Sequence, residues 1–138
     1  YQVLHDLAQK TDFSADELTV VWQTVNVEHQ CHYCVPAHTG IAKNMKVDDK
    51  LIDALRNNEE LEDAKLNALR NAVLSVTRGR GHIDDAAMKG FTDAGYTSRN
   101  MLDIILILAQ KVMSNYTNHL AETPVDVAFE KFAWTPVK

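Results

Sequence analysis

Two cysteines three residues apart, Cys31 and Cys34, are the residues of this sequence whose types and spacing best suit chemistry. In a Cys-x-x-Cys pair one thiolate can attack a substrate, and the other lies close enough to close a disulfide on the oxidised sulfur. They are the only two cysteines in the chain, and a bridge between them encloses almost no loop, so it adds little stability through chain entropy. The pair therefore indicates reversible thiol redox chemistry.

A histidine, His38, follows Cys34 by four residues, which is one helical turn along the same face. An imidazole there can take the thiol proton at neutral pH. Pro36 suits the first turn of a helix, where its missing N–H would be unpaired anyway, so we expect Cys34 at a helix N-terminus that favours the thiolate. We predict that Cys34 is the more acidic thiol and that Cys31, which precedes the helix, is better placed to exchange with a reductant.

The Cys-x-x-Cys spacing also occurs in haem-attachment and zinc sites. Haem attachment needs a histidine directly after the second cysteine, but Val35 stands there. A structural zinc site usually has four ligands, and the chain has no second cysteine pair, although His29, His32 or His82 can in principle complete one. A zinc-binding domain and two incidental helix cysteines stay as alternatives to redox chemistry.

The elements that must position these residues are patterned as helices. Ser14 with Glu17 three residues later forms a capping box, and the apolar residues that follow within 18–25 have helical spacing and lead toward the cysteines. A second apolar stripe runs through residues 66–76. Alternation typical of strands is nearly absent. We therefore predict an all-α fold in a single domain that spans residues 1–138.

The longest predicted helix follows Ser98 as its cap and contains an apolar run at residues 104–109. Because that run has no polar face, it predicts the central buried helix. A short last helix is predicted over residues 127–134, which include two phenylalanines and a tryptophan. So much apolar surface in a small chain predicts self-association.

Charge and hydropathy narrow the classes of partner. The net charge is −5 and no basic stripe offsets it, so we expect neither nucleic acid nor an anionic membrane surface as the main partner. The apolar run is too short to span a bilayer. The chain begins at Tyr1 with no visible leader, so we expect that it lacks upstream residues or has been processed, and a secretory signal in the missing part stays an alternative. The predicted location is cytoplasmic.

The stretch 31–39, CHYCVPAHT, resembles the Cys-x-x-Cys-x-x-x-His signature of alkylhydroperoxidase D-like proteins in the carboxymuconolactone decarboxylase superfamily. The likeness extends to the helix 14–30 before the motif and to the helices within 95–129, so it covers most of the chain. It implies an all-α fold, assembly as a trimer or hexamer, disulfide-linked peroxidase activity, and no metal or other cofactor. The decarboxylase branch generally lacks the cysteine pair, so the resemblance favours the redox branch.

Carried over residue by residue, the resemblance makes Cys34 the cysteine that attacks hydroperoxide, Cys31 its disulfide partner and His38 the proton relay. Many members carry a relay glutamate about three turns before the first cysteine, and Thr19 stands at that position here. Glu28, three residues before Cys31, is our candidate for orienting His38 instead. A solvated carboxylate at a helix end is the alternative for Glu28.

The predicted function is the reduction of a hydroperoxide by a dithiol or a thiol protein, through Cys34, Cys31, His38 and Glu28. The alternative is a thiol-disulfide adapter or redox sensor, which exchanges disulfides with a partner and does not turn over peroxide.

Overall fold

The computed structural model describes residues 1–137 of the chain. Over that range the chain forms seven α-helices and one 3₁₀ helix and contains no strand. In chain order these are α1 (Gln2–Gln9), α2 (Ala15–Glu28), α3 (Cys34–Asn44), α4 (Asp49–Arg56), α5 (Ala64–Arg78), α6 (Asp85–Asp93), α7 (Ser98–Leu120) and a C-terminal 3₁₀ helix (Val127–Phe132). The prediction of an all-helical fold is confirmed.

Side-chain caps fix where most of these helices begin. The predicted capping box of α2 is present: Ser14 Oγ accepts from the Glu17 backbone N–H, and the Glu17 carboxylate accepts from the Ser14 N–H. Aspartates cap α4, α5 and α6, namely Asp48, Asp63 and Asp84. The cap predicted at Ser98 is displaced by one residue, because Thr97 has the extended backbone and accepts the capping hydrogen bond from Asn100.

The central helix of the fold is α2. Every side chain from residue 18 to residue 27 is buried, and α2 packs against α3, α4, α5 and α7. The prediction that residues 104–109 form the central helix is wrong. In α7, Ile104 and Ile107 are fully buried, but Ile105 is 48% exposed. Because α7 packs on the bundle with one side only, its apolar run extends beyond the face that can be covered.

The outer side of α7 is unusually apolar. Its exposed large side chains are Leu102, Ile105, Met113, Tyr116 and Leu120. Such a surface agrees with self-association, which stays a prediction. Within residues 1–137, every helix falls short of the combined length and apolarity that a membrane crossing requires.

Helix α3 begins at Cys34 with Pro36 in its first turn, as predicted, and the C-terminal 3₁₀ helix packs against it. A glycine permits this close approach, since a Cβ atom added at Gly40 would lie 2.8 Å from the Phe129 ring. The last helix differs from the prediction of a helix over 127–134, because it is a 3₁₀ helix that ends at Phe132.

Candidate active site

The two cysteines form a disulfide with a Cα–Cα distance of 5.2 Å. Cys31 lies between α2 and α3, and Cys34 is the first residue of α3. Neither residue is open to bulk solvent, because Cys31 is 0% and Cys34 is 2% exposed. The helix start therefore holds both sulfurs together inside the protein.

Each sulfur has its own hydrogen-bond donor. The Cys34 backbone N–H donates to Cys31 Sγ at 3.1 Å, and the Asn118 side-chain amide donates to Cys34 Sγ at 3.4 Å. The predicted benefit of the α3 N-terminus for Cys34 thus needs a correction, because the amide at the start of the helix faces Cys31. A thiolate on Cys31 gains the helix amide, and a thiolate on Cys34 gains Asn118.

A cleft of about 540 Å³ opens beside Cys34 between α1, α3, α7 and the C-terminal 3₁₀ helix. Cys34, His38, Lys111 and Asn118 line it, whereas Cys31 does not. Apolar and aromatic side chains form much of the remaining wall, including Tyr33, Ala37, Ile41, Met113 and Phe129. In this disulfide form the cleft leads to Cys34, whereas the prediction that Cys31 is better placed to meet a reductant stays a prediction.

His38 lines the same cleft from the next turn of α3 and is 4% exposed. Its Nε2 lies 2.8 Å from Lys111 Nζ, its ring packs 5.0 Å from the Trp22 ring, and its Nδ1 has no hydrogen-bond partner in the part of the chain described. Burial, and next the charge of Lys111, hold the pKa of His38 well below its usual value. A neutral imidazole at neutral pH can accept a proton.

Lys111 is a buried lysine, 1% exposed, in the middle of α7. Besides His38, its Nζ approaches the Tyr1 hydroxyl at 3.5 Å. Burial lowers the pKa of Lys111 from 10.5 to about 7. Besides the neutral His38, the site therefore contains a group that gains and loses a proton near neutral pH.

A layer of buried amide side chains holds α3 against α2 and α7; we call Gln23, Asn26 and Asn115 the polar layer. Gln23 Nε2 donates to the Val35 carbonyl at 3.0 Å, and Asn26 Nδ2 donates to the Cys34 carbonyl at 3.5 Å. Asn115 Nδ2 donates to Asn26 Oδ1 at 2.9 Å. These directional bonds fix the first turn of α3, and with it Cys34, relative to α7.

The structure does not bring Glu28 to His38. Both Glu28 oxygens accept from Arg78, at 2.8 and 2.9 Å. His38 Nε2 contacts Lys111, and His38 Nδ1 has no partner in the described residues. Thr19, at the position of the family's relay glutamate, donates its hydroxyl to the Ala15 carbonyl within α2. The group that contacts His38 is instead Lys111.

The histidines considered as zinc ligands do not converge on the cysteines. His29 bonds the Asn115 side chain, His32 donates to the Thr123 carbonyl, and His82 lies in a cleft beside Arg78. In the described range, no group of three or more histidine, cysteine or carboxylate side chains is arranged to hold a metal ion.

Sequence reasoning missed the contribution of α7 to the site. Its signal lies in the spacing of residues 104, 107, 111, 115 and 118, which places Lys111, Asn115 and Asn118 on the same stripe as the two buried isoleucines of that helix. A stripe that changes from isoleucine to lysine and asparagine while remaining on the buried side indicates a polar interior at that end of the helix.

Comparisons with known proteins agree with this architecture. No protein-family model matches the chain, and no curated protein matches its sequence. A solved structure described as an alkylhydroperoxidase AhpD core, an uncharacterised peroxidase-related protein from Ralstonia eutropha JMP134, matches with a TM-score of 0.80 and 20% identity over 92% of this chain and 69% of that one. An uncharacterised peroxidase-related protein from Silicibacter sp. TM1040 matches with a TM-score of 0.74 and 20% identity over 86% of this chain, and the match spans only 63% of that protein's length. With its helices, its paired cysteines and these two neighbours, the chain has the alkylhydroperoxidase D-like fold.

Proposed function

We propose that the chain is a thiol-dependent peroxidase that reduces hydroperoxides through a Cys31–Cys34 disulfide cycle. The observation that carries the proposal is that Cys34, bonded to Cys31, lines a cleft together with a neutral His38. A substrate in that cleft meets one sulfur of the pair and one base. The two structural neighbours are described as peroxidase-related, and the likeness to them is one of fold.

The first step oxidises Cys34. His38 takes the thiol proton, and the Cys34 thiolate attacks the terminal oxygen of the hydroperoxide ROOH. The O–O bond breaks, Cys34 becomes a sulfenic acid, and the leaving alkoxide receives the proton to give ROH. The Asn118 amide, which donates to Cys34 Sγ, stabilises the attacking thiolate.

The second step forms the disulfide. The Cys31 thiolate attacks the Cys34 sulfenic acid, and hydroxide leaves and is protonated to water. The Cys34 backbone N–H favours the thiolate of Cys31. An external dithiol then attacks Cys34 Sγ from the cleft, Cys31 leaves as a thiolate, and the second thiol of the reductant releases Cys34. The physiological reductant belongs to the class of dithiols or thiol proteins.

The test is consumption of a hydroperoxide with dithiothreitol as the reductant. We expect turnover by the wild type, none by Cys34→Ser, and in Cys31→Ser a single sulfenic acid that dimedone labels at Cys34. Mass spectrometry locates the label. A wild type that exchanges its disulfide with dithiothreitol but consumes no peroxide would contradict the proposal and support the adapter function, and a dimedone label on Cys31 would reverse the roles of the cysteines.

A further inference from the structure

Burying Lys111 costs folding free energy, and a role in the site would explain why a lysine stands there. A lysine is rarely fully buried, and an unpaired charge inside a protein is strongly disfavoured. Within residues 1–137 no carboxylate forms an ion pair with Lys111, and burial is the cause of its lowered pKa. The groups that face Lys111 are His38 on α3, and Tyr1 and His5 at the start of the chain.

The contact between Lys111 and His38 determines which ring nitrogen carries the proton. If Lys111 is an ammonium, its Nζ donates to His38 Nε2, so the proton of the neutral imidazole sits on Nδ1. If Lys111 is a neutral amine, Nε2–H can donate to the Nζ lone pair, and Nδ1 is unprotonated. Since Nε2 is occupied by Lys111 and Nδ1 is buried without a hydrogen-bond partner, exchange of a proton between His38 and Cys34 would have to use Nδ1.

We propose that Lys111 is the positioning residue of this thiol site: as a neutral amine it holds His38 in the tautomer whose Nδ1 accepts the Cys34 proton, and it stores that proton as an ammonium. The inference rests on the proposed function, because it names the partner of the base in that reaction. Lys111 thereby takes the place that the resemblance assigns to a glutamate.

The proton transfer balances without any other group. The Cys34 thiol proton moves to His38 Nδ1, and the Nε2 proton moves to Lys111 Nζ. The products are a thiolate, a neutral imidazole with its proton on Nδ1, and an ammonium. When the alkoxide leaves, Nδ1–H protonates it and the ammonium returns its proton to Nε2, so the thiol proton ends on ROH and no net charge accumulates.

A lysine suits this role electrostatically. Transfer from the thiol creates one negative and one positive charge inside the same site, and the two attract each other in a medium of low polarity. A carboxylate in the same place would become neutral and leave the thiolate without a counter-charge. The lowered pKa of Lys111, about 7, supplies a substantial fraction of the neutral amine at neutral pH.

The test measures the Cys34 thiol directly and does not depend on peroxide turnover. In the reduced Cys31→Ser protein, the rate of alkylation by iodoacetamide is followed against pH to give the midpoint of thiolate formation. We expect Lys111→Met to raise this midpoint by about one pH unit or more, because the nearby cation is lost. The matched control is Arg70→Met on α5, which removes another buried cation, one that bonds Asn58, and should leave the midpoint unchanged.

A second measurement follows the His38 tautomer by nitrogen-15 NMR. We expect the wild type to change from the Nδ1–H to the Nε2–H form as the pH rises through the range near 7 in which Lys111 loses its proton, and Lys111→Met to show no such change. This readout needs no variant to be informative, because a wild-type tautomer that is constant from acid to alkaline pH would overturn the inference.

The two proposals fail separately. Peroxide turnover together with an unchanged alkylation midpoint in Lys111→Met would overturn the role of Lys111 and leave the peroxidase proposal in place. A tautomer change and a Lys111-dependent midpoint in a protein that consumes no peroxide would overturn the peroxidase proposal and support the role of Lys111 in thiol activation.

Discussion

Helix α2 is buried on two sides whose chemistry differs. Toward α5, its Val21 and Val25 belong to the same hydrophobic cluster as Leu69 and Val73. Toward α3 and α7, its buried side chains include Trp22, which donates to Gln110 of α7, and the amides Gln23 and Asn26 of the polar layer, which bond backbone carbonyls of α3, each other and Asn115. The apolar side is held by non-directional burial, whereas the other side is held by bonds with defined donors and acceptors.

The difference teaches how one helix can serve both stability and chemistry. Apolar packing tolerates small shifts of one helix against another, but a redox pair needs its sulfurs, base and donors within hydrogen-bond reach. We therefore expect substitutions on the apolar side to change the free energy of unfolding and to leave the reactivity of Cys34 unaltered. Substitutions on the cleft side should change the reactivity of Cys34, whatever their effect on the free energy of unfolding.

The largest effect is expected for His38→Ala. Loss of the base should slow the reaction of reduced protein with hydroperoxide by roughly a hundredfold or more. Stopped-flow measurement of the peroxide step checks this, with His82→Ala as the control, because His82 is exposed and lies outside the Cys34 cleft. An unchanged rate in His38→Ala would show that His38 is not the base. The cleft side of α2 would then have no demonstrated role in catalysis that the apolar side lacks.

The second-largest effect is a loss of stability, and we expect it on the apolar side of α2. Leu69 is fully buried in the core, so Leu69→Ala should lower the free energy of unfolding by about 2–5 kcal/mol through lost burial and a cavity. Urea unfolding of the oxidised protein measures it. Leu102→Ala is the control, since Leu102 is 66% exposed, and should cost no more than about 0.5 kcal/mol. A Leu69→Ala protein that is folded but has slow Cys34 alkylation would show that the two sides are coupled.

The third prediction concerns the stability that the protein loses by burying Lys111 beside the cleft. Lys111→Met should raise the free energy of unfolding below neutral pH by several kcal/mol, the order of the penalty for burying one unpaired ion. The gain depends on pH. The pKa of Lys111 is about 7 in the folded protein and 10.5 ordinarily, so between these values the unfolded chain binds more protons and wild-type stability rises with pH.

The advantage of Lys111→Met should therefore be complete below about pH 7 and shrink as the pH rises toward about 10.5. Urea unfolding of oxidised wild type and variant across this range provides the measurement, and the intact disulfide keeps the cysteine thiols from titrating. A difference that is constant with pH would mean that Lys111 has an ordinary pKa in the folded protein, which would also weaken its part in proton transfer.

The sequence was sufficient for features that depend on local signals. The capping box at Ser14 and Glu17 and the start of α3 at Cys34 both follow from residues within a few positions. The chemistry of the Cys31–Cys34 pair also lies in one short segment. These features need no knowledge of how the helices pack.

Features that depend on packing between distant segments were not predictable in the same way. Lys111 and His38 are 73 residues apart, and helical periodicity does not say which two helices will face each other. The sequence does contain an indication that α2 is central, but the apolar run at 104–109 is the more conspicuous feature. Residues 18–27 carry no charge, whereas in α7 Asp103 directly precedes the apolar run and Lys111 follows it by two residues. Absence of charge over the stretch 18–27 was the better guide to burial on several sides.

The smallest effect is expected for Glu28, at the end of α2 where its buried part meets solvent. Its pair with Arg78 is partly exposed, with 23% of the Glu28 side chain and 56% of the Arg78 side chain accessible. Such pairs contribute little because water and salt screen them. Glu28→Gln should thus lower the free energy of unfolding by no more than about 1 kcal/mol and leave the peroxide step nearly unchanged.

A double-mutant cycle separates this outcome from the hypothesis that Glu28 orients His38. If Glu28 acts only on Arg78, Glu28→Gln and Arg78→Gln should each cost the same small free energy, and the double variant should cost no more than either. The rate of the peroxide step should be the same in all three. A slow peroxide step in Glu28→Gln and a normal one in Arg78→Gln would restore Glu28 as the partner of His38, which would require α2 to move its end toward the cleft on reduction. The absence of that effect would leave Lys111 as the group that acts on the base, and the functional chemistry of α2 would be confined to its polar layer.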